Sequence, residues 1–292
     1  MTLDDLDQAL RLSTVVGWNQ TLDDWRMLLQ LAPTGTFAAH VERRRASDVS
    51  IVGTAMGIDY GGFAWIAMML VDPAWRGRGL GRRLLEAAMD AVPSHLPIRL
   101  DATPLGRPLY QRYGFEDEAT LSRHVRDAQH VVDATRADAP DASGRRAPFV
   151  RPLVDADLAT VIDQDRETFG GTRSAVIEWA FRSAPQYAYA VAGDNGAINY
   201  CLGRRGRSFD QIGPVVAGDD HTAHALVSAA LAAAGDTPVV VDAFDSHDAF
   251  ASELRDDGFV VQRPLVRMCR RANLVPLQGV SQEFAIFGPE FA

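Results

Sequence analysis

The sequence predicts a mixed α+β protein built as two successive copies of one domain. Three observations carry this reading. The order of helical and strand-like segments in the first half recurs in the second. A stretch of small, polar, turn-forming residues separates the halves. Matched punctuation falls at corresponding places, Asp101-Ala102 with Asp242-Ala243 and Gly114-Phe115 with Gly258-Phe259. A chain of 292 residues has room for two such domains at roughly 100–200 residues each.

In the first half, Leu3 to Leu12 reads as a helix with an acidic first turn, and Asp23 to Leu31 as a second, ended by Pro33 and Gly35. Thr36 to Glu42 and Ser50 to Ile58 read as strands. Phe63 to Val71 is a buried strand, Gly79 to Val92 a helix, Ile98 to Ala102 a strand and Pro108 to Tyr113 a short helix. Gly114-Phe115 then turns into a final strand pair reaching Arg126. Residues 127–147 form the linker, with 1–126 and 148–292 as the two domains. In the second half, Phe149 to Leu153 is a strand, followed by helices from Asp155 to Gln164 and Ser174 to Phe181. Tyr187 to Ala192 and Ala197 to Arg204 make a hairpin around Gly193-Asp194-Asn195-Gly196. Gln211 to Val216 is a strand, Ala223 to Ala234 a helix, Val239 to Ala243 a strand and Ala249 to Asp256 a helix. Gly258-Phe259 leads into a last strand.

Composition narrows the function. No apolar run approaches the roughly 18–20 residues that span a bilayer, and Met1-Thr2-Leu3-Asp4-Asp5 lacks the features of a signal peptide. Cys201 and Cys269 stand far apart and away from any His cluster. They read as reduced packing residues of a cytoplasmic protein, with no metal site. A net charge of −9 argues against nucleic-acid binding and favours a neutral or cationic substrate. Every Lys/Arg position is arginine, so the chain offers no lysine as its own acyl acceptor.

The most informative segment is Arg76-Gly77-Arg78-Gly79-Leu80-Gly81, between the apolar run Trp65 to Val71 and the amphipathic run Leu80 to Met89. A strand, a glycine-rich turn and a helix in that order aim backbone N–H groups and a positive helix end at one point. Such a turn is built to hold an anion, and the expected one is a phosphate or pyrophosphate. The second copy has Gly218-Asp219-Asp220-His221-Thr222-Ala223 in the same place, where two carboxylates repel phosphate. The first half is therefore expected to bind the anionic ligand and the second not.

The strand, the Arg-x-x-Gly-x-Gly turn, the helix and the later Leu109-Tyr110-x-x-x-Gly114-Phe115 resemble the GNAT superfamily of N-acetyltransferases. The whole chain resembles a tandem GNAT protein with a degenerate C-terminal copy, through Phe169-Gly170-x-x-Arg173, Gly213-Pro214, Arg267-Met268 and Gly288-Pro289-Glu290-Phe291. The resemblance implies two tandem domains, each a twisted, mixed, largely antiparallel sheet flanked by helices. It implies acetyl-CoA as co-substrate, its pyrophosphate held by Arg76, Gly79 and Gly81, with Gly77, Arg78, Leu80 and Arg82 adding contacts. Thr103 stands where the family commonly has Asn, and Tyr110 where it has a tyrosine general acid. The first copy departs from the family in starting almost directly with a helix, which leaves one sheet edge to be completed by something else.

Acyl transfer from a thioester to an amine needs a polarised carbonyl, an anchored cofactor, a neutral amine and a proton for the leaving thiolate. Backbone N–H groups of Met69, Leu70 and Val71 serve the first need if the strand splays from its neighbour. A phenol of pKa about 10 stays protonated at neutral pH, which suits Tyr110 to the last. Asp101, on the strand leading to Thr103, is a candidate for contact with the amine, although Asp242 at the matching place in the other copy favours a structural hydrogen bond. Asp59, His40 and Glu42 are weaker candidates for the base. Trp18 and Trp65 are candidates to line the acceptor pocket, and Arg173, Asp242 or Glu290 to reach it from the second copy. The leading expectation is an N-acetyltransferase for a small amine, monomeric or homodimeric. The alternatives are a non-catalytic acyl-CoA sensor and a protein acetyltransferase.

Overall fold

The computed structural model describes residues 1–42, 49–128, 148–271 and 282–292, so most of the expected linker lies outside the described residues. The first half contains α1 (Leu6–Val15), α2 (Leu22–Leu31), β1 (Thr36–Glu42), β2 (Val49–Asp59), β3 (Ala64–Val71), α3 (Leu80–Asp90), β4 (Ile98–Ala102), α4 (Arg107–Gln111) and β5 (Glu116–Arg126). The second contains β6 (Arg151–Pro152), α5 (Leu158–Phe169), α6 (Ser174–Ser183), β7 (Tyr189–Ala192), β8 (Ile198–Arg204), β9 (Asp210–Val216), α7 (Asp220–Ala234), β10 (Val239–Phe244), α8 (Asp248–Asp256), β11 (Val260–Arg270) and β12 (Glu283–Ile286). Two expectations need correction. The strand pair after Gly114-Phe115 is one continuous strand of 11 residues, and β12 was not anticipated.

Local chemistry sets the helix boundaries. Thr21 and Asp24 form a reciprocal capping box at the start of α2, at 2.6 and 3.2 Å. Gly79, at φ 77°, caps α3. At the start of α7 the carboxylate of Asp219 accepts the Thr222 N–H at 2.7 Å.

The described strands join in one sheet, ordered β1-β2-β3-β4-β11-β5-β10-β12-β9-β8-β7-β6. Pairing is antiparallel except for β3 with β4 and β9 with β10. At the centre the copies exchange their last long strands. The second copy's β11 pairs with the first copy's β4, and the first copy's β5 pairs with the second copy's β10. β5 and β11 pair with each other in the middle. The edge beyond β1 carries no further strand among the described residues. There the Met1 ammonium donates to the Thr36 carbonyl at 2.9 Å.

Two buried ion pairs repeat across this exchange. Arg267 on β11 donates to both carboxylate oxygens of Asp101 on β4 at 2.9 Å. Arg123 on β5 donates to both oxygens of Asp242 on β10 at 2.7 Å. Bidentate geometry offsets the cost of taking these charges out of water.

Strand alternation sends successive residues to opposite faces. Trp65 and Ala67 enter a core that unites Trp25 and Leu28 of α2 with Val161 of α5, Ile177 of α6, Phe287 and Phe291. Ala64 and Ile66 face the other way, against Leu84, Leu85 and Ala88 of α3. The first of these cores belongs to both copies. The backbones also interlock there. A Cβ on Gly62 would lie 1.9 Å from the Gly170 carbonyl oxygen, and Thr172 N–H donates to the Tyr60 carbonyl at 2.7 Å.

A shared sheet and a shared core predict a single cooperative unfolding transition by calorimetry. Two separated transitions would contradict the sharing. Asp242→Asn leaves Arg123 buried without its counter-charge, and denaturant unfolding should show a loss of about 3–5 kcal/mol.

Candidate active site

The turn between β3 and α3 has the geometry of an anion cradle. Gly77 (φ 75°) and Gly79 (φ 77°) hold left-handed conformations that cost other residues roughly 1–2 kcal/mol. A Cβ at either position would meet nothing within 4 Å. The backbone conformation, and not packing, is what requires glycine there. Gly81 lies in the first turn of α3, where a Cβ would make only ordinary contacts at 3.7 Å or more. The protein itself leaves that side of the turn open. Arg76, Arg78, Arg82 and Arg83 are all exposed around the helix start. The Arg78 guanidinium lies 4.5 Å over the Trp75 ring, and Arg76 Nε donates to the Val71 carbonyl at 3.2 Å. A helix N-terminus ringed by guanidinium groups suits a polyanion.

β3 and β4 are paired only at Ala64–Ile98 and Trp65–Arg99. Beyond Trp65 they diverge, which leaves the β4 side of Met69, Leu70 and Val71 without a partner strand. Met68 marks the divergence with φ 50°. A positive φ is uncommon for such a residue. The buried Thr54 hydroxyl holds it in place by donating to the Met68 carbonyl at 2.8 Å.

One cleft lies at this splay. Met68, Met69, Thr103 and Tyr110 line it from the first copy. Tyr110 is 8% exposed, its ring edge-on to Phe115. Burial pushes its phenol above the ordinary range, so the hydroxyl stays protonated. Thr103 Oγ1 accepts the Gly106 N–H at 3.3 Å, which anchors the turn ahead of α4.

The opposite wall comes from the α1–α2 loop, at Trp18 and Gln20, and from the second copy, at Arg263, Leu265, Pro289 and Glu290. Asn19 ties that loop to the second copy. It accepts from Ser208 and Phe209 N–H at 2.9 and 3.1 Å and donates to the Phe209 carbonyl at 2.8 Å. Arg204 donates to Asp24 at 2.8 Å and also to Glu290, which joins α2, β8 and the terminal segment.

Asp101 lines the cleft, but both its oxygens accept from Arg267. Burial raises its pKa, with Arg267 pulling the other way. Trp65 is fully buried and donates its indole N–H to the Pro289 carbonyl at 3.1 Å, whereas Trp18 faces the cleft. His40 is exposed on β1, and Asp59 accepts the Gly61 N–H at 2.7 Å in a turn. Neither lines the cleft, and the Glu42 side chain lies outside what the structure describes. Arg173 is buried between Asp165, Glu283 and the Ala292 oxygen, also away from the cleft. Arg263 and Gln20 were not singled out in the sequence.

The second copy differs at both matching places, although a cleft lined by Val216, Gly218, Asp219 and Thr222 lies beside its helix start. Asp219 occupies the helix start that Gly79 leaves open. β12 fills the wedge between β9 and β10, pairing with both. A Cβ on Gly213 would lie 2.1 Å from the Ile286 carbonyl oxygen, so only glycine allows β12 to approach this closely. Among the described residues no cluster of His, Cys, Asp and Glu is arranged to hold a metal ion.

Comparison with known proteins agrees with this architecture. Sequence models of the GNAT acetyltransferase domain match residues 37–117 and 161–281. The chain is 27% identical over 200 residues to YitH of Bacillus subtilis, an uncharacterised N-acetyltransferase, covering 68% of this chain and 67% of that one. Among solved structures, a candidate acetyltransferase of Pyrococcus horikoshii superposes with a TM-score of 0.73 at 21% identity, over 99% of this chain and 93% of the other. A tandem GNAT protein of the clavulanic acid biosynthesis pathway superposes at 0.59 and 17% identity, over 91% and 94%. The chain belongs to the GNAT superfamily, with one acetyltransferase domain in each half. It is an acyltransferase enzyme of the tandem type.

Gly79→Ala places a side chain in open space but in a left-handed conformation, so denaturant unfolding should show a loss of about 1–2 kcal/mol. A neutral result would mean that the turn relaxes to another backbone shape.

Proposed function

We propose that the protein transfers the acetyl group of acetyl-CoA to a primary amine of a small acceptor by direct attack. One observation carries this reading: the open β3–β4 wedge and the buried Tyr110 meet in one cleft and β3 runs on into the glycine turn, whereas in the second copy β12 fills the matching wedge. Acetyl-CoA supplies the activated acetyl group. The exposed Arg76, Arg78 and Arg82 and the backbone of Gly77, Gly79, Leu80 and Gly81 would hold its pyrophosphate. The backbone N–H groups of Met69, Leu70 and Val71, with no strand beyond them on the β4 side, would bind and polarise the acyl end. Tyr110 would donate its proton to the departing thiolate. The second copy supplies the far wall, which favours a small acceptor over a protein surface.

Asp101 fits a positioning role better than that of a base, because Arg267 engages both of its oxygens. Thr103 would shape the turn that presents Tyr110. No helix among the described residues is long and apolar enough to cross a membrane. The free, buried Cys201 and Cys269 suit a reducing, cytoplasmic setting.

Tyr110→Phe should lower turnover about 10²-fold in a thiol-release assay, with little change in acetyl-CoA affinity. Unchanged turnover would remove Tyr110 from the chemistry. Because burial raises the phenol's pKa, wild-type kcat/KM should climb with pH as the acceptor amine loses its proton. It should show no falling limb below about pH 10. A decline centred well below that pH would point to a different acid.

A further inference from the structure

The acceptor end of the cleft contains a cation that the architecture does not explain. Arg263 on β11 lies directly opposite Arg123 on β5. Like charges facing across a strand pair are destabilising. Arg123 is compensated by its bidentate pair with Asp242. Arg263 makes no ion pair or hydrogen bond with another described residue, and its Nε is buried without a partner. Burial, and then Arg123, push its guanidinium below the ordinary range, opposed by Asp242 and Glu290. The cationic form is therefore short of negative charge at this point.

The internal repeat sharpens the anomaly. β5 and β11 cross so that Arg123 faces Arg263 at one end and Ala119 faces Arg267 at the other. The Gly114-Phe115 and Gly258-Phe259 markers equate Arg123 with Arg267 and Ala119 with Arg263. At the equivalent place the first copy has a methyl group. Arg263 is thus no requirement of the strand exchange, and it stands on the side that lines the cleft. A second orphan lines the same cleft: Gln20 is 6% exposed, and its Oε1 is buried without a donor.

An unpaired guanidinium and an unpaired amide oxygen in one cleft complement a ligand with a carboxylate and an amine. Resting on the acetyltransfer reading above, we infer that the acceptor is an amino-carboxylate, its carboxylate held by Arg263 and its amine hydrogen-bonded by Gln20 Oε1. The negative net charge favours a neutral or cationic substrate, and a zwitterion satisfies that balance while engaging the local cation.

The test uses amine acceptors in matched sets: an amino acid, its primary amide and its decarboxylated analogue. Thiol release with acetyl-CoA and calorimetric binding of the same compounds are measured on wild type, Arg263→Gln and Arg263→Lys. Wild type should favour the carboxylate member by about 10- to 100-fold in kcat/KM and in affinity, the range of a charge-assisted hydrogen bond. Arg263→Gln should erase that ratio, and Arg263→Lys should restore part of it. Carboxylate-selective binding lost in Arg263→Gln, without thiol release from any member, would uphold this inference and defeat the acetyltransfer reading. Thiol release with no carboxylate preference, or a preference that survives Arg263→Gln, would overturn the inference alone. Absence of both binding and thiol release for every carboxylate member would overturn it as well.

Discussion

The exchange of final strands is the constraint on which the rest of the structure depends. β4 finds its neighbour in β11, and β10 finds its neighbour in β5, so each copy completes the sheet of the other. Backbone polar groups in a buried sheet must be paired, and on one side of β4 and of β10 the partner comes from the other half of the chain. The bidentate pairs Asp101–Arg267 and Asp242–Arg123 mark the two crossings. Their net energy is small, because desolvation opposes attraction. Their weight lies in penalising any arrangement that leaves one member alone in the interior.

That frame also explains why the strand wedge is open in one copy and filled in the other. The wedge that a splayed strand pair creates has two physical solutions here. In the first copy it stays open, supported by the strained Met68 and the Thr54 hydroxyl. In the second, Glu283 to Ile286 fills it as an added strand, and Asp219 supplies the helix-capping anion from within the chain. The residues that follow β12 then cross to the first copy. Pro289 accepts the Trp65 indole N–H, and Glu290 binds Arg204 at the cleft wall. The degenerate copy is thus a wall of the open site as well as a scaffold.

Much of this was legible in the sequence wherever the signal was local. Apolar periodicity placed the main helices and strands. The glycines at 77 and 79 marked a backbone shape that other residues avoid, and the Gly-Phe repeats exposed the duplication. The strand exchange was not legible, because β5 and β11 carry equivalent patterns and either could pair with β4. Asp101 read as a site candidate because its partner Arg267 is 166 residues away. Phe169-Gly170-x-x-Arg173 read only as a mark of the family resemblance, with Arg173 a candidate to reach the acceptor pocket. It proves to be a backbone interlock with Tyr60 and Gly62 followed by a buried guanidinium. Arg263 lies in a strand that the sequence marks only by the Gly258-Phe259 ahead of it. Aligning the two copies on their Gly-Phe markers would have shown it facing an alanine counterpart.

The central claim is that one fold, used twice, keeps its strand wedge and glycine turn fit for the ligand in the first half alone. Calorimetric titration of the intact chain with coenzyme A tests it most directly. The account predicts one molecule bound per chain, and loss of that binding when Gly79 is replaced by Asp, which sets in the first copy the kind of carboxylate that Asp219 sets in the second. Two molecules per chain, or binding undisturbed by Gly79→Asp, would contradict it.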